Sequence, residues 1–280
     1  MFNRYTITEN IYRGVKSNVS RATRDEDGAK VIIKSLAETQ QKPIDIARLK
    51  HEYQLIEHIK LLGIPEVISF ESKDNHYGIV FKEFNGISLK SYLKNEQPDI
   101  GFFLHIAIQL CNILAGLHVN RIIHKDIKPA NIIIDPESLN IQLVDFSLST
   151  RSFSGQHVAS GTGILEGSLA YISPEQTGRM NRPIDYRSDL YSLGITLYEI
   201  LTGQLPFHAS HPLEWVHAHL AQKPPDPRTY RPDLPQPIAE IIMILLAKTS
   251  EDRYQSAYNL KKDFEKAAIQ WKVNEKIMPF

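Results

Sequence analysis

The sequence predicts an α+β chain in two lobes: a small antiparallel β lobe with one helix, then a larger helical lobe. Three observations predict it. Residues 5–85 read mostly as strands between turn signals. The chain beyond Asn85-Gly86 shifts to helical spacing. Hydrophobic residues make up 42% of the 280, enough for a sizeable core, and 23% are charged, which excludes bulk disorder.

In the small lobe, Tyr5 to Tyr12 reads as a strand, followed by a Gly-containing turn and a strand from Asn18 to Thr23. Asp25-Glu26-Asp27-Gly28 is a hairpin turn leading into a strand from Lys30 to Leu36. Ile44, Leu49, Tyr53, Leu55, Ile56 and Ile59 fall near helical spacing. Strands Pro65 to Glu71 and His76 to Phe84 flank the turn Lys73-Asp74-Asn75, and the lobes join near Lys82 to Gly86. In the large lobe, Phe102 to Val119, Asp189 to Thr202, Ile238 to Lys248 and Ser256 to Trp271 read as helices. Short apolar strands at Asn131 to Ile134 and Ile141 to Val144 lie between the first two. Lys223 to Pro237 is a Pro-rich loop. No internal repeat or low-complexity tract is visible.

Lys+Arg and Asp+Glu both number 32, so the formal net charge is zero. That argues against a nucleic-acid binder or an acidic tail protein. The single cysteine, Cys111, cannot form an intrachain disulfide or a cysteine metal cluster, so the cytoplasm is the expected compartment. The opening MFNRYTITEN has no signal-peptide core. The longest apolar stretch, Gly101 to Leu117, is interrupted by His105, Gln109 and Asn112. It reads as a buried helix, short of the ~20 apolar residues of a membrane span.

The strongest chemical signal is His124-Lys125-Asp126-Ile127-Lys128-Pro129-Ala130-Asn131, with Asp145-Phe146-Ser147 nineteen residues after Asp126. A carboxylate at Asp126 can accept the proton of an attacking hydroxyl. An ammonium at Lys128 can neutralise a phosphoryl group in transfer. The Asn131 amide and the Asp145 carboxylate are hard oxygen ligands suited to Mg²⁺. Any one of these alone would be a surface charge or turn former; four residue types at four matching spacings argue otherwise.

These segments resemble the catalytic loop and metal-binding segment of protein kinases. Two more regions carry the resemblance. Val31-Ile32-Ile33-Lys34 looks like the strand lysine that grips the α/β-phosphates, and Glu52, eighteen residues on, looks like its ion-pair partner. Gly167-Ser168-Leu169-Ala170-Tyr171-Ile172-Ser173-Pro174-Glu175 looks like the close of the activation loop, with Ser168 where a hydroxyl touches both Asp126 and Lys128. The resemblance implies framework roles for Glu175, Asp189 and Arg253, with Arg253 the buried partner of Glu175.

The resemblance spans residues 5–270 (lobes 5–85 and 86–270) and leaves 271–280 as a tail. It implies a bilobal protein-kinase-like fold and an ATP site built from Ile11, Gly14, Val19, Ile32, Lys34, Glu52, Lys82, Phe84, Ile133 and Asp145. Catalysis falls to Asp126, Lys128 and Asn131, and Mg²⁺ to Asn131 and Asp145. The implied partners are ATP and a protein substrate, with neither nucleic acid nor membrane. Lys128 points to Ser/Thr acceptors. Gln176-Thr177-Gly178-Arg179-Met180-Asn181-Arg182-Pro183 is similar to the kinase head of bacterial hybrid kinases, where ATPase-type, sensor and histidine-kinase modules follow. An excised domain of such a chain is the expectation.

Several positions depart from the family pattern. Ile11 to Val19 keeps one of three usual glycines, Gly14, with Tyr12 and Ser17 at the others; a looser phosphate clamp and a plain hairpin are both open. Ser147 replaces a glycine. Ile32 and Phe81 are bulky for a nucleotide slot. Lys125 replaces an arginine that pairs bidentately with phosphate, although Ser149, Thr150, Ser152, Ser154, Ser160 and Thr162 stand in the loop as acceptors. The thin Gly loop, Ile32 and Ser147 keep open a nucleotide-binding or partner-docking pseudokinase, and a small-molecule phosphotransferase of similar fold is a further alternative. The segment 167–175 argues against the latter. His208, His211, His217 and His219 read as surface or structural residues in a loop rather than a zinc site. Cys111, Trp215 and Trp271 read as packing.

Overall fold

A computed structural model describes residues 2, 4–37, 42–94, 98–151 and 167–279. The chain forms two compact units, one of Met1–Gly86 with Val144–Leu148 and one of Ile87–Leu143 with Ser149–Phe280. The chain thus returns to the smaller unit for five residues, a return that a single division near residue 86 does not include.

The smaller unit is an antiparallel sheet of β1 (Tyr5–Arg13), β2 (Ser17–Arg24), β3 (Lys30–Leu36), β4 (Val67–Lys73) and β5 (His76–Lys82), in the order β1-β2-β3-β5-β4. Helix α1 (Pro43–Ile56) lies between β3 and β4 in sequence. Gly28 takes φ 72° in the turn before β3. Asp74 and Asn75 both take positive φ (47° and 62°), as a two-residue hairpin requires. The pleat of β3 sends Val31 and Ile33 into a core with Phe2, Ala22 and Val80. It leaves Ile32 and Lys34 on the opposite face. Glycine is needed at Gly78, where a Cβ would stand 2.9 Å from the Phe2 ring. Proline opens α1, where its missing N–H costs no bond, and the buried stripe of α1 is Leu49, Glu52, Leu55 and Ile56. A carboxylate therefore sits among apolar residues.

In the larger unit β6 (Ile87–Ser88) and α2 (Leu89–Tyr92) lead to α3 (Ile100–Val119). Strands β7 (Ile122–Ile123), β8 (Ile132–Ile134), β9 (Ile141–Leu143) and β10 (Thr150–Arg151) follow. They form two small sheets, β6-β8-β9 and β7-β10. Helices α4 (Tyr186–Thr202), α5 (Pro212–Ala221), α6 (Gln236–Leu245) and α7 (Ala257–Asn274) complete the unit. Among the described residues α3 alone is long and apolar enough to cross a membrane. Its apolar face instead packs within the unit, with Phe103 edge-on to Phe264 of α7 at 5.9 Å. Helix α4 is buried nearly all round. Gly194 lets it approach α6, since a Cβ there would stand 2.7 Å from Leu245 Cβ.

The predicted α+β architecture is present. Strand β3 matches its predicted limits, and most other ends move by one to three residues. The loop expected around His208 to His219 is corrected: α5 occupies Pro212–Ala221. The Pro-rich loop also ends earlier than read, since α6 starts at Gln236.

Candidate active site

In the smaller unit the Lys34 ammonium lies 2.7 Å from each Glu52 carboxylate oxygen and 2.7 Å from Asp145 Oδ1. The β3 pleat presents Lys34, and α1 brings Glu52 to it from a buried stripe. Asp145 arrives on the returning segment Val144–Leu148, outside any strand, with φ 68°. The Phe146 N–H donates to Glu52 Oε1 at 3.2 Å. Burial pulls Lys34 down, but Glu52 and Asp145 outweigh it and raise the ammonium above its ordinary value. Burial and Asp145 push the Glu52 carboxyl up, against the pull of Lys34. One cation thus holds two carboxylates that would otherwise repel.

The remaining nucleotide-site candidates of this unit are spread along the sheet. Ile11 is 46% exposed; Val19 sits opposite Lys34 in the β2–β3 register. Gly14 N–H donates to Ser17 O at 3.0 Å, closing the β1–β2 turn. The Tyr12 ring lies over Gly14, within 2.6 Å of where a Cβ would be. Ile32 is half-buried, and Phe81, opposite it on β5, is buried. The exposed Lys82 ammonium reaches Glu66 at 3.4 Å, and Phe84 is half-buried just past β5. Sequence reasoning missed Glu83, which accepts from Arg21 Nε at 2.5 Å.

In the larger unit Asp126 is 6% exposed and surrounded by donors. Its Oδ1 accepts the Ser168 N–H at 3.0 Å. Its Oδ2 accepts Lys128 Nζ at 2.6 Å and Asn131 Nδ2 at 2.9 Å. Asn131 Nδ2 also donates to the Asp126 carbonyl at 2.8 Å, and Lys128 Nζ reaches Ser168 Oγ at 2.5 Å. The loop is fixed from below by Asp189 on α4, which accepts the His124 and Lys125 N–H groups at 2.9 and 2.8 Å. Burial raises the Asp189 carboxyl, but His118, the His124 ring and the Lys125 N–H outweigh it and hold it below its ordinary value. Ile133 sits mid-strand in β8, opposite Gln142 and Ser88.

Asp126, Lys128 and Asn131 are therefore together in one unit, and Lys34, Glu52 and Asp145 together in the other. Sequence reasoning missed His118, whose Nε2 lies 3.0 Å from Asp189 Oδ2. It also missed Thr196, which donates to the Ile127 carbonyl at 3.2 Å. Both sit on predicted helices in which neither residue was singled out.

Of the acceptor hydroxyls proposed for the loop, Ser149 is corrected. It is 1% exposed and donates to the His124 carbonyl at 3.0 Å. Thr150 lies in β10. Ser152, Ser154, Ser160 and Thr162 lie outside the described residues. His208, His211 and His217 are exposed. Among the described residues no cluster of three or more His, Cys, Asp or Glu is disposed to hold a metal. Cys111 is buried, and burial pushes its thiol up, so it is inert.

The protein kinase domain family matches residues 5–264 of the chain. The chain is 32% identical over 234 residues to serine/threonine-protein kinase PrkC of Bacillus subtilis, covering 82% of this chain and 35% of that protein. It is 32% identical over 186 residues to serine/threonine-protein kinase PknB of Mycobacterium tuberculosis, covering 66% and 29%. It is 33% identical over 239 residues to hybrid signal transduction histidine kinase G of Dictyostelium discoideum, covering 61% and 7%. The chain spans about a third of the length of these bacterial relatives.

Proposed function

Because this chain belongs to the protein kinase family, we propose that it transfers the γ-phosphoryl group of ATP to Ser or Thr hydroxyls of a protein substrate. The carrying observation is the cluster at Asp126. A carboxylate with Lys128 at 2.6 Å, itself reaching Ser168 Oγ at 2.5 Å, pairs a proton acceptor with a cation.

In this reading Asp126 orients the acceptor hydroxyl and takes its proton as the new O–P bond forms. Lys128 offsets charge on the phosphoryl group, and the bond from the γ-phosphorus to the bridging oxygen breaks to release ADP. Lys34, fixed by Glu52, neutralises the α/β-phosphates. Ile11, Gly14, Val19, Ile32, Phe84 and Ile133, with the main chain near Lys82, enclose the nucleotide.

Each of the two metal ligands we assign offers a hard oxygen within its own unit. Asp145 offers a carboxylate whose side chain is 37% exposed. Both hydrogen bonds of the Asn131 side chain use Nδ2, leaving its amide oxygen as a hard donor. Mg²⁺ is the cation we assign; when bound it offsets phosphate charge.

Similarity to part of a hybrid histidine kinase supports a place as a signalling module of a larger protein, and the single cysteine supports the cytoplasm as its compartment. The Tyr12 ring over Gly14 favours the second reading, a pseudokinase, because it occupies space the phosphates would need. The test is incubation with labelled ATP and Mg²⁺, with casein as acceptor. Label on the protein or on casein, lost with chelator, supports the kinase. No label with ATP still bound supports the pseudokinase.

A further inference from the structure

The peptide group joining Lys125 to Asp126 is gripped at both ends. Its N–H, that of Asp126, donates to His124 Nδ1 at 3.3 Å. Its carbonyl, that of Lys125, accepts from Gln176 Nε2 at 2.9 Å. Lys125 stands at φ 70°, the left-handed region that a side-chain-bearing residue rarely adopts. Such a residue persists only where its surroundings over-determine it. Asp189 fixes the amide side of Lys125 through its N–H, and Gln176 fixes the carbonyl side.

The Gln176 amide is itself oriented. Its Oε1 accepts both the Ser173 N–H and the Ser173 hydroxyl, each at 3.0 Å. With the oxygen committed to Ser173, the NH₂ group can only face Lys125. A carboxylate could accept from Ser173 but has nothing to donate to a carbonyl. Ser173 and Gln176 thus form a two-residue clamp across the segment that follows Ser168. Rotation of the 125–126 peptide would swing the Asp126 carboxylate out of its cage of Ser168, Lys128 and Asn131. Misplacement of a reacting group by about 1 Å costs on the order of 10²-fold in rate.

We propose that Gln176 is a positioning residue for phosphoryl transfer, acting through the Lys125 carbonyl on Asp126, with Ser173 setting its amide. The inference rests on the kinase reading above. It assigns Gln176 no contact with ATP or acceptor.

The test measures kcat and the KM for ATP with casein as acceptor, beside ATP-binding stoichiometry by calorimetry. Gln176→Glu, equal in shape but without the donor, should lower kcat about 10–100-fold with ATP KM within about threefold. Ser173→Ala removes one of two bonds to the amide oxygen and should lower kcat by less, about 3–10-fold. A variant that is merely unstable would lose binding stoichiometry while keeping kcat per bound site. That pattern overturns the inference, as does wild-type kcat in both variants. Ser173→Ala keeps the test decisive if Gln176→Glu does not fold. A wild type that labels neither itself nor casein overturns the kinase reading and this inference with it; wild-type turnover with unaffected variants overturns this inference alone.

Discussion

Arg253 closes on Glu175 through two parallel hydrogen bonds, Nη1 to Oε1 at 2.7 Å and Nη2 to Oε2 at 2.9 Å. Its other three donors go to the carbonyls of Ala247, Arg187 and Lys248 at 2.8, 3.0 and 3.1 Å. All five guanidinium hydrogens are used, and both side chains are buried.

Loss of one partner should therefore be severe. Arg253→Met leaves Glu175 buried without a cation, met by the Ser188 hydroxyl and its own N–H, and should lower unfolding free energy by about 3–5 kcal/mol. Burial raises the Glu175 carboxyl, but Arg253 and the Ser188 hydroxyl outweigh it and hold it below the usual range. A carboxyl depressed on folding stabilises fully above its unfolded pKa. That stability is lost as pH falls through the lower folded value. Urea unfolding of wild type and Arg253→Met from neutral to acid pH checks both statements; parallel curves would sink the second.

His219 gives a second pH dependence. It is fully buried, flanked by Phe207 and Trp215. Leu169 O lies 2.9 Å from Nε2, so Nε2 carries the hydrogen and Nδ1 accepts from the Tyr191 hydroxyl at 2.9 Å. Burial first, and Lys248 after it, lower the imidazole from 6.5 to about 4. The unfolded chain then takes up a proton between these values that the folded chain refuses. Stability is present above pH 6.5 and falls as pH drops towards 4, by about 2 kcal/mol at pH 5. His219→Gln should remove that part of the slope in urea melts at pH 7.5 and 5; an unchanged slope contradicts the assignment.

Which features could be read beforehand follows from range. Lys30–Leu36 was legible to its last residue because a Gly turn precedes it and a β-branched run, Val31-Ile32-Ile33, fills it. The pairing of Lys34 with Glu52 was legible through the resemblance to protein kinases, since periodicity alone does not pair a strand residue with a helix residue eighteen positions on. Helix α5 was not: Pro212 looked like a breaker, yet at the first helical position its missing N–H costs nothing. Gln109 looked like an interruption of an apolar run. It is half-buried, donating to Leu139 O at 2.9 Å and accepting the Ile141 N–H at 3.1 Å. Gln176 belonged to a motif whose wording was visible but whose partner, Lys125, lies 51 residues away. Such pairings depend on packing that no local pattern encodes.

Lys34→Met should cost phosphoryl transfer about 10²–10³-fold or more, because it removes an ammonium that bridges Glu52 and Asp145. Glu52→Gln should cost less, since the ammonium keeps Asp145 as partner. Steady-state rates at saturating ATP test the order. Turnover unchanged in Lys34→Met would remove this lysine from the site.

The two aspartates separate by what each is asked to hold. Asp126 carries three donors on its carboxylate, all from the protein. In the proposed reaction it accepts a proton and makes no metal bond. Asp126→Asn should keep Mg²⁺-dependent ATP binding and lose turnover by ~10²–10⁴-fold, the usual size of a general-base contribution. Asp145 has one oxygen on Lys34 at 2.7 Å and a side chain open enough to meet a cation. Asp145→Asn should also lose turnover, and its ATP affinity should become nearly independent of Mg²⁺, because a neutral amide is a poorer ligand for a hard dication. Calorimetric titration of ATP with Mg²⁺ or with chelator, for each variant beside wild type, distinguishes the roles. Loss of Mg²⁺ dependence in Asp126→Asn alone would mean the assignments are reversed. If neither variant alters binding or turnover, the catalytic reading of both segments fails and the pseudokinase takes its place.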